Sequence, residues 1–418
     1  MKRVLAVLLL AAGCGLPDEA MRESSTASAA VMTTVTGFGS NPGGLNLYLY
    51  APSQPAARTG LVVALHGCTQ SAADYQRAGW NTFAEANGFY VLYPETSSGA
   101  RCFLWYDALQ TARGRGQALS VVQGVQWALG RFDIDPARVF VTGLSAGGAM
   151  TSELLASYPD VFSAGAVMAG IPARCASSIG ESSACQQGKD LSPAQWGNLV
   201  RAAATGPAPR VGIYSGDADY VVAVKNVTEL MEQWTNVNGV DQTADETTVL
   251  GRATRRQYRD ASGATRVETW VVSGMGHGTA VAASQGCGSV GAFVLDVGVC
   301  STEHAARFFG LLGGTPPPPP VDAGTPLVDA GVPPPVDAGT PVVDAGTPVV
   351  DAGTPSSCTE HYASNYDQVQ AGRAVRCGNF NSYACAKGSG EQLGLWNTFY
   401  KSWVKSNDAS YWSAGRCP

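Results

Sequence analysis

Val139-Phe140-Val141-Thr142-Gly143-Leu144-Ser145-Ala146-Gly147-Gly148-Ala149-Met150 is the stretch on which the reading of this chain turns. Its first four residues are β-branched or aromatic and read as a short strand. A helix-forming run follows, Ala149-Met150-Thr151-Ser152-Glu153-Leu154-Leu155. Between the two, Gly143 and Gly147 flank Ser145. Small residues on both sides permit a strained strand-to-helix turn that lifts a serine oxygen clear of a sheet. A serine hydroxyl is a poor nucleophile until a base takes its proton, and the base works best when a carboxylate orients it. Ser145 is therefore the candidate nucleophile, with an acid and then a histidine expected further along the chain.

Only His277 and His304 lie between Ser145 and the Pro-rich stretch that begins at residue 313. His277 sits in Ser273-Gly274-Met275-Gly276-His277-Gly278, a Gly-rich loop behind the β-rich run Val267–Val272. His304 falls in a helical run, Glu303 to Leu312, and reads as a helix-surface residue. His277 is the candidate base. For the acid, the strand-like Arg210-Val211-Gly212-Ile213-Tyr214 leads into Ser215-Gly216-Asp217-Ala218-Asp219. Loops at the carboxyl ends of such strands are where these folds carry functional groups. Asp219 is preferred to Asp217 because Asp219-Tyr220-Val221-Val222 runs on into the loop. An oxyanion needs backbone donors aimed at the developing charge. One is expected from Ala146, the other from Cys68 in the turn Leu65-His66-Gly67-Cys68-Thr69-Gln70. His66 as base would break the chain order.

Outward from this centre, further β-rich runs (Leu61–Leu65, Asn87–Pro94) alternate with helical patterns (Ala118–Leu129, Gly148–Ser157). That alternation predicts an α/β fold with a mostly parallel sheet covered by helices on both faces, over residues 35–312. Residues 313–357 differ in kind. A polyproline run, Pro316–Pro320, precedes five copies of Val-Asp-Ala-Gly that start at Val321, Val328, Val336, Val343 and Val350. Gly and Pro in every unit exclude a coiled coil, and the repeats lack the apolar residues of a solenoid. A semi-rigid linker of about 100 Å is the expectation.

At the other end, Lys2 and Arg3 precede the apolar run Val4–Ala12, which closes on Gly13-Cys14. This is the layout of an export signal over residues 1–13, too short to remain as a spanning helix. Leu10-Ala11-Ala12-Gly13-Cys14 resembles a bacterial lipobox, which makes Cys14 the expected lipidation site and residues 14–34 a tether. Gly15 after it favours the outer membrane. An outer-membrane, cell-surface or extracellular protein is expected, touching membrane only through its lipid. The chain has eleven cysteines, so ten remain after Cys14. An even number fits disulfides in an oxidising compartment. Proximity suggests Cys175–Cys185 and Cys287–Cys300, which leaves Cys68 with Cys102; the last four are expected to pair as Cys358–Cys417 and Cys377–Cys385. With no CxxC pair and four histidines, no metal site is expected. The formal net charge of −6 includes the five linker aspartates, and the near-neutral remainder excludes a nucleic-acid footprint.

Residues 358–418 form a second, small, disulfide-rich unit. About sixty residues seldom hold a sufficient core alone. The unit is dense in aromatics, Tyr362, Tyr366, Trp396 and Trp403 among them, more than its interior can hide. The surplus points to a binding face. In the larger unit, a Cys68–Cys102 bridge clamps the Cys68 turn to Phe103-Leu104-Trp105-Tyr106-Asp107 and so predicts Trp105 and Tyr106 beside the acyl site.

These runs, with Tyr93-Pro94-Glu95, Gly216–Val222 and Gly274–Gly278, resemble the esterase/polyhydroxybutyrate depolymerase family, which includes feruloyl and acetylxylan esterases. The resemblance covers residues 35–312 and implies an α/β-hydrolase fold with Ser145, Asp219 and His277 as its triad. It implies no cofactor. The chain departs from the family at Cys102-Phe103-Leu104-Trp105, where Cys-Trp-Asn-Trp is frequent. The terminal unit resembles the substrate-binding domain of extracellular polyhydroxybutyrate depolymerases at Ala363–Tyr366, Val369, Gly372–Ala374, Gly394-Leu395 and Gly415–Pro418, with Gln368 where His is usual. That likeness, with the aromatic surplus, makes Tyr366, Arg373 and Trp396 candidate substrate contacts. The expected activity is hydrolysis of a polymeric ester, poly(3-hydroxybutyrate)-type polyester before feruloyl or acetylxylan esters of plant polysaccharide, by a monomer.

Overall fold

The computed structural model describes residues 31–97, 100–312, 358–377, 383–395, 401–408, 411–415 and 417. The chain divides into two compact units, Met1–Asp322 and Ala323–Pro418. The division falls within the Val-Asp-Ala-Gly stretch. Cys14, the signal, most of the tether, the linker and Trp396 lie outside the described residues.

In the first unit ten strands make one sheet: β1 Val31–Val35, β2 Leu45–Ala51, β3 Thr59–Leu65, β4 Tyr90–Thr96, β5 Ile134–Leu144, β6 Ala164–Met168, β7 Arg210–Gly216, β8 Glu246–Leu250, β9 Ala253–Arg259 and β10 Thr265–Val272. Their order is β1-β2-β4-β3-β5-β6-β7-β10-β9-β8. The six strands from β4 to β10 in that order are mutually parallel, and the four strands outside them join by antiparallel pairing. This is the α/β-hydrolase fold.

Parallel strands covered on both sides must be apolar at every position, and β3 shows it. Leu61, Val63 and Leu65 enter one core cluster, Val62 and Ala64 the other, all at 1% exposure or less. Helices Gly116–Leu129, Ala146–Ser157 and Lys225–Asn238 close the first face through Val121, Val125, Leu154, Leu230 and Trp234. Helices Trp80–Asn87 and Ser301–Phe309 close the second through Trp80, Ala84, Ala305 and Phe309. Truncating a residue such as Leu61 to Ala costs about 2–5 kcal/mol in such a core. The tether expected to reach Thr34 stops sooner, because Val31–Val35 pairs with β2 and Val35 is buried.

The second unit holds two three-stranded sheets. One runs Thr359–Ser364, Lys401–Asp408, Tyr411–Ala414, the other Ala374–Cys377, Tyr383–Ala386, Gln392–Leu395. A helix, Asn365–Gln370, follows the first strand. The five disulfides among the described residues join the expected pairs. Five bridges mark a protein folded in an oxidising compartment.

Candidate active site

Ser145 follows directly on β5, Asp219 stands three residues beyond β7, and His277 five beyond β10. Because these strands are parallel, all three residues emerge at one edge of the sheet. The Cys68 turn follows β3, which is parallel to β5, and joins them there.

Ser145 has φ 57° and ψ −117°, a backbone conformation that L side chains rarely adopt. Such a residue costs about 1–3 kcal/mol and persists only where its surroundings hold it. Here its N–H donates to the Met168 carbonyl at 2.9 Å, and its carbonyl accepts from Ala149 at 2.8 Å, starting the helix. A Cβ on Gly143 would collide with the Gly147 carbonyl, and one on Gly147 with the Leu65 carbonyl. Both glycines are required by close approach of backbone.

Two hydrogen bonds zip the acid loop to the base loop. The Ala218 N–H donates to the Met275 carbonyl at 3.0 Å, and the Gly274 N–H to Asp217 Oδ1 at 2.6 Å. Asp217, the carboxylate passed over in the sequence, thus braces the turn before the histidine. Asp219 is buried. Its Oδ1 accepts the N–H groups of Val221 and Val222, both at 2.9 Å, and its Oδ2 accepts His277 Nδ1–H at 2.8 Å. That bond fixes the tautomer and leaves Nε2 as the basic nitrogen. No hydrogen bond joins Ser145 Oγ to the His277 ring, a contact that in unliganded sites often tightens only with substrate.

No described residue accepts from the N–H of Cys68 or of Ala146, so both donors remain open. Gly67 packs against the Leu144 carbonyl, 3.4 Å from where its Cβ would stand, which brings the two donor segments together.

The other histidines are occupied. His66 is fully buried; its Nδ1 donates to the Gly67 carbonyl at 2.7 Å and its Nε2 accepts from Thr96 N–H at 3.2 Å. Burial pushes its pKa down. His304 is on a helix, as expected, but not on its outer surface. Its ring stacks on Trp270 at 4.0 Å, and burial pushes its pKa down to about 4. A cavity of about 330 Å³ lined by His304, Trp270, Arg255 and Arg307 is distinct from the Ser145 edge.

Trp105, expected beside the acyl site, is 4% exposed and belongs to the same core cluster as Ala146. Phe103 and Trp105 alternate inward while Leu104 and Tyr106 are half-buried, and Tyr106 packs edge-on against the Trp105 ring. Phe293 was not legible beforehand: its ring meets His277 edge-on at 5.9 Å. In the terminal unit, Tyr366 lies on Asn365–Gln370 with its side chain outside the described residues. Arg373 is half-buried; its Nε donates to the buried Gln368 at 2.6 Å, and its guanidinium lies 6.0 Å from the Trp412 ring. Those contacts hold the unit together, so they give Arg373 a structural task.

The sequence pattern of the family described as Esterase PHB depolymerase matches residues 45–257, just over half of the chain. Over 299 residues the chain is 44% identical to the poly(3-hydroxyalkanoate) depolymerase C of Paucimonas lemoignei, a match spanning 69% of this chain and 72% of that protein. The chain belongs to the esterase PHB depolymerase family. This member is a carboxylic ester hydrolase. It is also 34% identical over 265 residues to feruloyl esterase B of Talaromyces stipitatus, across 60% of this chain and 73% of that one. The solved acetyl xylan esterase from Aspergillus awamori superposes with a TM-score of 0.59 at 27% identity, over 67% of this family member and 99% of its own length.

Proposed function

We propose that this protein is an exported serine esterase that hydrolyses a poly(3-hydroxybutyrate)-type polyester through Ser145, His277 and Asp219. The observation that carries the reading is the Asp219–His277 hydrogen bond standing behind a strained Ser145 turn. In the proposed mechanism His277 Nε2 takes the Ser145 proton as Oγ attacks the ester carbonyl. The N–H groups of Ala146 and Cys68 hold the resulting oxyanion. His277 then gives the proton to the departing alkoxide, leaving an acyl-serine. Water, deprotonated by the same nitrogen, releases the acid, and Ser145 recovers its proton. Asp219 keeps the imidazole in one tautomer and stabilises its cation.

The polymer assignment is supported by the relative from Paucimonas lemoignei and by the terminal unit. On the sheet Thr359–Ser364/Lys401–Asp408/Tyr411–Ala414, Tyr362 and Trp403 are cross-strand partners stacked at 5.0 Å. Tyr362 is 55% and Tyr411 54% exposed, while Val404 and Trp412 point to the buried side. Exposed aromatics suit an apolar, uncharged polymer. A tethered adsorbing unit raises the effective concentration of enzyme on a substrate that cannot diffuse. Tyr106 is proposed to flank the acyl site, and Cys14 to carry the lipid, which labelled palmitate incorporation with and without Cys14→Ala tests. The likeness to feruloyl and acetylxylan esterases supports the second reading, polysaccharide esters.

The test compares the full chain with a form ending after Leu312. The proposal expects both to hydrolyse p-nitrophenyl butyrate alike, and only the full chain to clear poly(3-hydroxybutyrate) film efficiently. Release of ferulate or acetate from xylan with intact film would overturn the polyester assignment.

A further inference from the structure

Gln70 has no place in the mechanism above, yet it is 1% exposed at the end of the Cys68 turn. A buried primary amide must find both acceptors and donors. Its Oε1 accepts the Gly67 N–H at 2.8 Å, and its Nε2 donates to the Ala292 carbonyl at 2.6 Å, 222 residues along the chain. Those partners fix which end is oxygen and which is nitrogen.

Ala292 leads into Phe293, whose φ of 58° a bulky residue holds only under constraint. The Phe293 carbonyl accepts the Thr279 N–H at 2.9 Å and lies 2.8 Å from where a Cβ on Gly278 would stand. Its ring packs on His277. One amide therefore ties the turn bearing the Cys68 N–H to the segment on which His277 rests.

We infer that Gln70 is a positioning residue for ester hydrolysis. Its amide keeps the Cys68 turn and the Phe293 segment in register, so that oxyanion donor and base meet the same carbonyl carbon. The inference rests on the proposed roles of Cys68 and His277. Loosening both together weakens transition-state contacts more than substrate capture.

The experiment uses the full chain carrying Gln70→Ala or Gln70→Glu. It measures kcat and KM on p-nitrophenyl butyrate from pH 5 to 9, with fluorophosphonate titration of reactive serine as the reference for folded enzyme. Gln70→Ala is expected to lower kcat per titrated serine roughly 10- to 100-fold with KM little changed. Gln70→Glu keeps the acceptor for Gly67 and donates to Ala292 only when protonated. Its kcat relative to the unsubstituted chain should therefore rise as pH falls, while the Gln70→Ala ratio stays flat. If Gln70→Ala is insoluble, the Gln70→Glu ratio alone decides. A kcat per titrated serine within about twofold of the parent for Gln70→Ala, or a pH-independent Gln70→Glu ratio, overturns the inference. Ser145→Ala is run alongside. Activity persisting there overturns the nucleophile itself, whereas a dead Ser145→Ala with unimpaired Gln70→Ala overturns only the positioning role.

Discussion

The catalytic unit surrounds a ten-stranded sheet with two apolar clusters, from Leu61 and Trp234 on one face to Trp80 and Phe309 on the other. The terminal unit has two small sheets, and its buried apolar residues among those described are Ala374, Ala384, Ala386, Val404 and Trp412. Two disulfides close it, Cys358–Cys417 across 59 positions and Cys377–Cys385 across 8. The difference decides what each unit can carry. A large core tolerates the strain at Ser145, where φ is 57°, because many packed neighbours oppose its relaxation. A small unit has no such reserve, but it has surface in excess, on which Tyr362 and Tyr411 stand exposed.

The most severe break in this comparison is chemical. Ser145→Ala, His277→Ala and Asp219→Asn should each lower kcat on a soluble ester by about 10⁴-fold or more, and far less than additively in combination. Adsorption to polyester film should be untouched in all three. A variant that lost film binding together with hydrolysis would contradict the division of labour.

Next in size is the staple. Replacing Cys358 and Cys417 by Ser removes a bridge that in small exported units contributes about 2–5 kcal/mol. Calorimetry should lose the transition of the terminal unit, and film binding with it, while p-nitrophenyl butyrate turnover stays at the parent rate.

A smaller effect tests the surface itself. Tyr362→Ala with Trp403→Ala removes a stacked pair, and such pairs contribute about 0.5–1.5 kcal/mol beyond the area they cover. Film affinity measured by depletion should fall about tenfold for the double variant, with the terminal fold and soluble turnover retained. An unchanged isotherm would move the binding face elsewhere on the unit.

How far the sequence revealed each unit follows the same division. The placement of Ser145, Asp219 and His277, the proposed triad, behind parallel strands was legible because each follows a β-rich run at a Gly-containing turn, a local signal. Cys175–Cys185 and Cys287–Cys300 were legible because their partners lie 10 and 13 positions apart, and Cys68–Cys102 followed as the remaining pair of that unit. Neither Gln70 nor Phe293 could be read, since Gln70 meets Ala292 across 222 positions and the Phe293 ring meets His277 only through the folded loop. The hairpin of β8 and β9, Glu246–Leu250 and Ala253–Arg259, is charged and edge-lying, and carries no apolar run to announce it. Arg373 was drawn from resemblance, whereas its contact with Gln368 is a property of the folded unit.

The last predicted effect concerns pH, and it belongs to the catalytic unit alone. Glu153 lies on the helix that begins behind Ser145 and is 2% exposed. Its Oε1 accepts the Arg174 N–H at 2.6 Å, while its Oε2, 3.3 Å from the Arg174 guanidinium, finds no hydrogen bond among the described residues. Burial pushes this carboxyl up from 4.5 to about 7, against the pull of Arg174. A folded-state value above the unfolded one means that the folded protein binds the proton more tightly. The stability so gained is present below pH 4.5 and is lost as pH rises through 7. Glu153→Gln removes this titration, so the parent's unfolding free energy should fall relative to that of Glu153→Gln as pH rises. The two curves should meet near pH 5 and separate by pH 8, by at most about 3 kcal/mol. In the terminal unit Glu360 is only half-buried and Glu391 is exposed, so its transition should not shift with the same substitution. A stability difference between the parent and Glu153→Gln that is the same at pH 5 and pH 8 would mean that Arg174 outweighs burial at Glu153.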